Sequence, residues 1–169
     1  EVPQAAPGAA WALINLLAAL GTVADMVPLI GENRKIVLYG LRLLNTYRKP
    51  GIEAILEKAG LSDKTLDSTS ISFGIAPRIN AAGRMGTAER ALDLLLADDP
   101  YSASEMAEEV NVMNTQRHTE EDKIFTEAIA YLQDHPEVAH LPILVLSGKG
   151  WHEGVLGIVA SKLLERYLR

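Results

Sequence analysis

Apolar residues recur at helical spacing along most of this chain, and the exceptions are as informative as the rule. Trp11 to Leu20 is an apolar run without a single charge. The Ala/Leu-rich stretch Ala10 to Leu20 therefore predicts a buried helix. Gly21 predicts a break after it, and Pro28 opposes any helix running on through this region. A second helix is expected from Asn33. Ile36, Tyr39 or Gly40, Leu43 and Tyr47 lie on one face, with Arg34, Lys35, Arg42 and Arg48 on the others. Pro50-Gly51 should stop it. Ile52 to Ala59 predicts a short helix closed by Gly60. Ile71, Ile75 and Ile79 are four apart, so Ser70 to Gly86 reads as helical, with a kink or break near Ala76 imposed by Pro77. Ala88 to Ala97 predicts a helix with Leu92, Leu95 and Leu96 inward.

The longest pattern runs from Tyr101 to Asp134. Ser102 or Ser104 is the expected cap, with Glu105 favourable in the first turn. Met106, Val110 and Met113 mark an apolar face, which Ile124, Ala128 and Leu132 resume. Between them Asn114 to Lys123 is wholly polar, so this part reads as a solvated connector between two bodies, with Arg117 and His118 in water. His135-Pro136 closes it. Ile143 to Leu146 then predicts a strand of the buried type, the one strong strand in the chain. It feeds Ser147 to Gly154, a glycine-rich turn, and a helix whose apolar face is Val155, Ile158, Val159 and Leu163. Glu1 to Ala9, with two prolines, predicts no structure. The chain ends at Arg169 inside a helical pattern, which reads as an internal fragment.

Composition narrows the class. The 169 residues are 48% hydrophobic and 22% charged, as in an ordinary globular protein. There is no cysteine, which excludes disulfides and thiolate metal sites and fits a reducing cytosol. No apolar run approaches the roughly 20 residues that span a bilayer. The net charge of −6 argues against a general nucleic-acid coat. Its distribution is uneven: residues 31–90 hold ten Lys/Arg against six Asp/Glu, and residues 101–169 hold six against eleven. A basic middle beside an acidic remainder suits one anion-binding face, or plain solvated surface.

Three stretches carry candidate chemistry. Asp25 is a lone acid in Gly21 to Leu29, among apolar neighbours. It is either a cap or surface acid, or one oxygen ligand of a hard divalent cation whose other donors lie elsewhere. In Ala76 to Gly86, Asn80 and Arg84 are four apart and share a helical face. With Arg78 they could clamp a phosphate, since the planar guanidinium matches phosphate oxygens bidentately. Equally, the small residues there could serve packing and the arginines pair with acids. At Gly148 to Gly154, a turn before a helix offers N–H groups to an anion. Trp151 could stack on a base and His152 touch base or phosphate, or the pair could be a structural Trp and a cap. The glycine spacing fits neither the dinucleotide fingerprint nor a P-loop.

Together, Gly21 to Leu29 with Glu32-Asn33-Arg34, then Ala76 to Met85, then Gly150 to Ser161, resemble the DHH phosphoesterases. Within that family they resemble the bacterial exonucleases specific for single-stranded DNA, over nearly the whole chain from Ala18. The resemblance implies an α/β parent fold, of which this part is predominantly α-helical. It implies residues 1–100 as the C-terminal part of the catalytic domain, 101–137 as the connecting helix and 138–169 as the start of the DHH-associated domain. It implies 5′-to-3′ hydrolysis of single-stranded DNA to mononucleotides, in recombination and repair, at a two-metal Mn2+ or Mg2+ centre. Asp25 matches a metal ligand. Arg84, with Arg78 and Asn80, matches positions along the DNA path. The family's N-terminal Asp-x-Asp motif and Asp-His-His triplet are absent from these residues, so the fragment alone is expected to be inactive. Two alternatives stay open: a small-nucleotide phosphodiesterase of the same superfamily, and a non-catalytic nucleic-acid-binding relative.

Overall fold

A computed structural model describes residues 9–167; the unstructured start expected at Glu1 to Ala9 lies almost wholly outside them, as does Arg169. The chain forms eight α-helices and one π-helical turn among the described residues. They are α1 (Ala9–Ala24), α2 (Gly31–Thr46), α3 (Pro50–Lys58), the π-turn (Ser70–Ile75), α4 (Ala76–Met85), α5 (Ala88–Leu96), α6 (Pro100–Asp134), α7 (Pro136–Ala139) and α8 (Glu153–Tyr167).

Two buried clusters organise these elements. The larger joins α1, α2, α3, the π-turn, α4, α5 and the first third of α6, with Leu44, Ile52, Ile55, Leu56, Ile71, Ile75 and Leu94 at its centre. Two glycines bring its helices close. A Cβ at Gly40 would overlap the Ala19 side chain, so α2 lies directly on α1. A Cβ at Gly51 would overlap the Leu94 carbonyl, so α3 lies directly on α5. The smaller cluster joins Ile124, Ala128 and Leu132 of α6 to Val155, Val159 and Leu163 of α8.

Several boundaries depart from the sequence pattern. The first helix does not break at Gly21 but runs on to Ala24; one interior glycine costs about 1 kcal/mol, which the buried Leu20 and Val23 on either side outweigh. The long helix is capped by Asp99, whose carboxylate accepts from the Ser102 N–H at 2.8 Å, and not by Ser102 or Ser104. Pro77 does not end the helix. The preceding turn widens into a π-helix, and Pro77 then occupies the first turn of α4, where its missing N–H is no loss.

The expected strand at Ile143 to Leu146 is not formed; no β-strand occurs among the described residues. The segment keeps a strand's alternation, with Leu144 and Leu146 packed on the smaller cluster and Ile143 and Val145 exposed at 75% and 82%. A ladder needs a neighbouring strand, and the described residues supply none.

The expectation of a solvated middle for α6 is also corrected. Its inward face is one unbroken stripe: Ala103, Ala107, Val110, Asn114, Arg117, Glu121, Ile124, Ala128 and Leu132. The three polar members are buried, not solvated, whereas Thr115, Gln116, His118, Thr119, Asp122 and Lys123 on the other faces are exposed as expected.

Candidate nucleic-acid interface

The polar part of that stripe lies where the two clusters meet. Arg117 donates to Glu121 at 2.7 Å and twice to the Asn114 side-chain oxygen, at 3.2 and 3.3 Å. Glu121, 3% exposed, also pairs with Lys162 of α8 at 2.5 Å. A carboxylate held by two cations satisfies the rule that buried charges are paired. This network ties α8 to the middle of α6.

A second tie runs from α8 to the end of α4. Gly154 sits so close to Arg84 that a Cβ would overlap the Arg84 carbonyl oxygen. The Gly154 carbonyl accepts from the Arg84 guanidinium at 3.0 Å, and its N–H donates to His152 Nδ1 at 3.1 Å. Gly154 thus fixes Arg84 on one side and His152 on the other. The rest of the exposed Arg84 fork has no protein partner among the described residues. Because Nδ1 accepts, a neutral His152 carries its proton on Nε2.

An open cleft of about 420 Å³ lies at this junction, lined by Met85, Thr115, Gln116, Thr119, Glu120, Gly150 and His152. Gly150 adopts φ of +77°, the left-handed conformation that turns the chain into α8.

The other candidate residues are placed differently. Arg78 is a structural pin. Its guanidinium donates to the Gly74 and Lys58 carbonyls at 2.7 and 2.9 Å and to Asn111 at 3.1 Å, joining α3, the π-turn, α4 and α6. Burial draws its pKa below the ordinary arginine value. Asn80 is exposed and lines a separate shallow recess between α4 and α5, with Ile79, Gly83 and Leu92. The Trp151 ring folds back over Gly148, and its N–H donates to Glu127 at 2.7 Å. It packs on the smaller cluster and does not line the cleft.

Asp25 is exposed and shares no described pocket with Arg84. It stands at the C-terminal cap of α1. Met26 N–H donates to the Val23 carbonyl at 3.1 Å and Val27 N–H to the Thr22 carbonyl at 3.2 Å, the paired bonds of a Schellman ending. Met26 takes φ of +51°, a position that favours glycine. Two local costs therefore coincide: a side chain in the left-handed region, and an acid at the negative end of a helix. No group of three His, Asp or Glu side chains able to hold a metal forms among the described residues. One carboxylate does not make such a site, so these residues do not fit a resident metal by themselves.

Sequence reasoning missed Thr115, Gln116, Thr119 and Glu120 as cleft residues, and Asn114, Arg117 and Glu121 as interior ones. The signal was phase. The three interior residues continue the spacing set by Ala107 and Val110 before them and Ile124 after.

No protein-family model matches the chain. Comparison with curated proteins and solved structures identifies a class of relatives, the exonucleases that act on single-stranded DNA. Those relatives carry one name, RecJ. The chain is 37% identical over 153 residues to the single-stranded-DNA-specific exonuclease RecJ of Bacillus subtilis, and 40% identical over 153 residues to that of Thermus thermophilus. Each match covers 90% of this chain but only 19% and 22% of the relative. The crystal structure of Thermus thermophilus RecJ with Mn2+ superposes on 94% of the chain with a TM-score of 0.81 at 39% identity, covering 23% of that structure. A second manganese-bound exonuclease RecJ gives 0.80 at 37% identity, again over 94% of this chain and 39% of that structure. This chain is homologous to a segment of RecJ and shares its fold there, spanning about a fifth of the length of the curated relatives it matches.

Proposed function

We propose that this chain is part of a metal-dependent 5′-to-3′ exonuclease that degrades single-stranded DNA to mononucleotides in recombination and repair. The observation that carries the reading is the 39% identity and TM-score of 0.81 to a manganese-bound RecJ over 94% of the chain. In this reading residues 1–100 complete a DHH catalytic domain, 101–137 connect, and 138–169 begin the DHH-associated domain. The compartment is the cytoplasm, in keeping with the lack of cysteine and with no described helix being long and apolar enough to cross a membrane.

Arg84 is the residue of this chain that meets DNA phosphate. It is exposed, its fork is partly free, and Gly154 fixes its direction. Arg78 acts at one remove, by pinning α4. Asp25 supplies one carboxylate to a Mn2+ or Mg2+ site whose other donors come from outside these residues. Its support is the unfavourable local placement at the end of α1, which packing does not require. When bound, such cations activate water and stabilise the leaving oxygen.

The test is a chimera in which this chain replaces the matching segment of Thermus thermophilus RecJ. With manganese, it should degrade 5′-phosphorylated single strands and leave dinucleotides largely untouched. A folded chimera that cleaves only dinucleotides, or nothing, overturns the reading. Within the active chimera, Asp25→Ala should abolish turnover while strand binding survives. A near-parental rate in that variant removes Asp25 from the metal site.

A further inference from the structure

We propose that Lys162 and Glu121 are positioning residues: the pair sets the register of α8 along α6 and so keeps Arg84 in its fixed direction. The inference rests on the nucleic-acid reading above and adds to it the device that holds the arginine in place.

The apolar contacts between the two helices leave their register open. Val155, Val159 and Leu163 of α8 are four apart, and so are Ile124, Ala128 and Leu132 of α6. Burial of such residues is non-directional. If α8 slips one turn away from Arg84, Val155 takes the place of Val159 and Val159 that of Leu163, so both places stay apolar. The open groove beside Leu156 and Leu164 leaves room for the movement.

A slip in the opposite direction is blocked. It would bring Ile158 to the place of Gly154, where even a Cβ overlaps the Arg84 carbonyl. Against the slip away from Arg84 the same contact offers only the hydrogen bond from the Arg84 guanidinium to the Gly154 carbonyl. That bond is exposed, and water can replace it at little cost.

Lys162 supplies what the apolar face lacks. Its ammonium pairs with the buried Glu121 and lies 5.7 Å from the centre of the Phe125 ring. Glu121 and Phe125 are one turn apart on α6, so they hold the ammonium at one point along that helix. Glu121 cannot swing to follow a moving partner. Its other oxygen accepts from Arg117, which the Asn114 side chain holds in turn. A one-turn slip would carry Lys162 off the carboxylate and set Ile158 against it. The buried charge would then lose one of its two cations and gain an apolar neighbour. Fixing a register is the best-attested use of a polar group in an otherwise apolar helix seam. The consequence reaches Arg84, because a slipped α8 withdraws the Gly154 carbonyl from the guanidinium.

The chain has no cysteine, so Thr87→Cys and Glu165→Cys accept one spin label each. Both positions are exposed; Thr87 lies three residues past Arg84, and Glu165 near the far end of α8. Double electron–electron resonance should find a single distance in this labelled chain. Lys162→Met should lengthen it, in some or all of the molecules, by up to one helical turn, about 5 Å. Lys162 is half-exposed and Glu121 keeps Arg117, so this variant should melt close to the parent. Lys162→Arg keeps the charge and should restore the parental distance. Arg117→Met with Glu121→Met fills the junction without charge and should lengthen the distance as Lys162→Met does. An unchanged distance in either variant lacking the pair overturns the register role. In the active chimera, Lys162→Met should raise KM for 5′-phosphorylated strands about tenfold, the worth of one charge-assisted hydrogen bond, while kcat holds. Lys162→Arg should bring KM back. A lengthened distance with an unchanged KM overturns the link to Arg84. The distance needs no catalysis, so an inactive parental chimera rejects the nuclease reading alone.

Discussion

The two buried clusters are built on one helix and by different means. The larger closes on all sides. Residues from seven elements interlock, glycines at 40 and 51 let helices touch, and its central side chains are inaccessible. The smaller is one-sided. The α6 and α8 residues pack together, but a groove of about 760 Å³ lined by Ile143, Val145, Leu156 and Leu164 among others stays open. Where the two meet, packing gives way to charge, with Arg117, Glu121 and Lys162 paired and the Arg84–Gly154 contact beside them. The larger cluster can hold its shape through its own burial. The smaller depends on its attachment to the larger, and that attachment is polar.

The strongest test of this contrast is Glu121→Ala. It leaves Arg117 buried without its ion partner, and breaking one side of a buried pair costs about 3–5 kcal/mol. Urea unfolding should show that loss, with the region around α8 melting first by hydrogen exchange. Replacing both Arg117 and Glu121 by methionine should recover most of it, since apolar isosteres of buried pairs are often neutral. Recovery of nothing would mean that the charges do more than fill the junction.

Leu56→Ala comes next. The side chain is fully buried in the larger cluster, so about 2–5 kcal/mol should be lost. Here protection should fall across α1 to α5 together. Uneven loss confined to α3 would contradict a single closed core.

Gly154→Ala is smaller because two effects oppose. Alanine gains about 1 kcal/mol of helix propensity, while relieving the overlap with the Arg84 carbonyl costs about 1–3 kcal/mol. Gly157→Ala, on the same helix, meets no atom within 4 Å and should stabilise. The opposite ranking in thermal melts would show that α8 does not rest on α4.

The smallest effect concerns acid. The Ser102 N–H and hydroxyl hold the Asp99 carboxyl below its usual range, and the Ser70 N–H and hydroxyl do the same for Asp67. A depressed carboxyl stabilises the fold above its unfolded pKa and loses that contribution as pH falls through the folded value. Below about pH 4, melts should therefore lose stability in the parent, and less so in Asp99→Ala. Parallel pH curves for the two proteins would remove the cap from the account.

Most of the helices were legible in the sequence because burial sets a period, and the period is visible in Ile71, Ile75 and Ile79. The helix α5 shows the limit: Leu92 and Leu96, expected inward, are exposed, and the buried face is Ala91, Leu94 and Leu95. The strand at Ile143 was misread because four apolar residues specify extension, whereas a ladder depends on a partner that no local pattern encodes. The buried Arg117–Glu121 pair is hidden from a reading by residue type because both members are charged, and only their phase on α6 marks them as inward. At the candidate site, Arg84 and His152 were found as motif residues. Their common anchor, Gly154, is a tertiary contact across 70 residues, and the four α6 residues of the cleft carry no motif.

If this segment works within a nuclease as proposed, Asp25 holds a metal there. The most direct measurement is anomalous diffraction at the manganese edge from crystals of the chimera with Thermus thermophilus RecJ. A manganese peak is expected within coordinating distance of the Asp25 carboxylate. Manganese bound in the chimera with that carboxylate turned to solvent would contradict it.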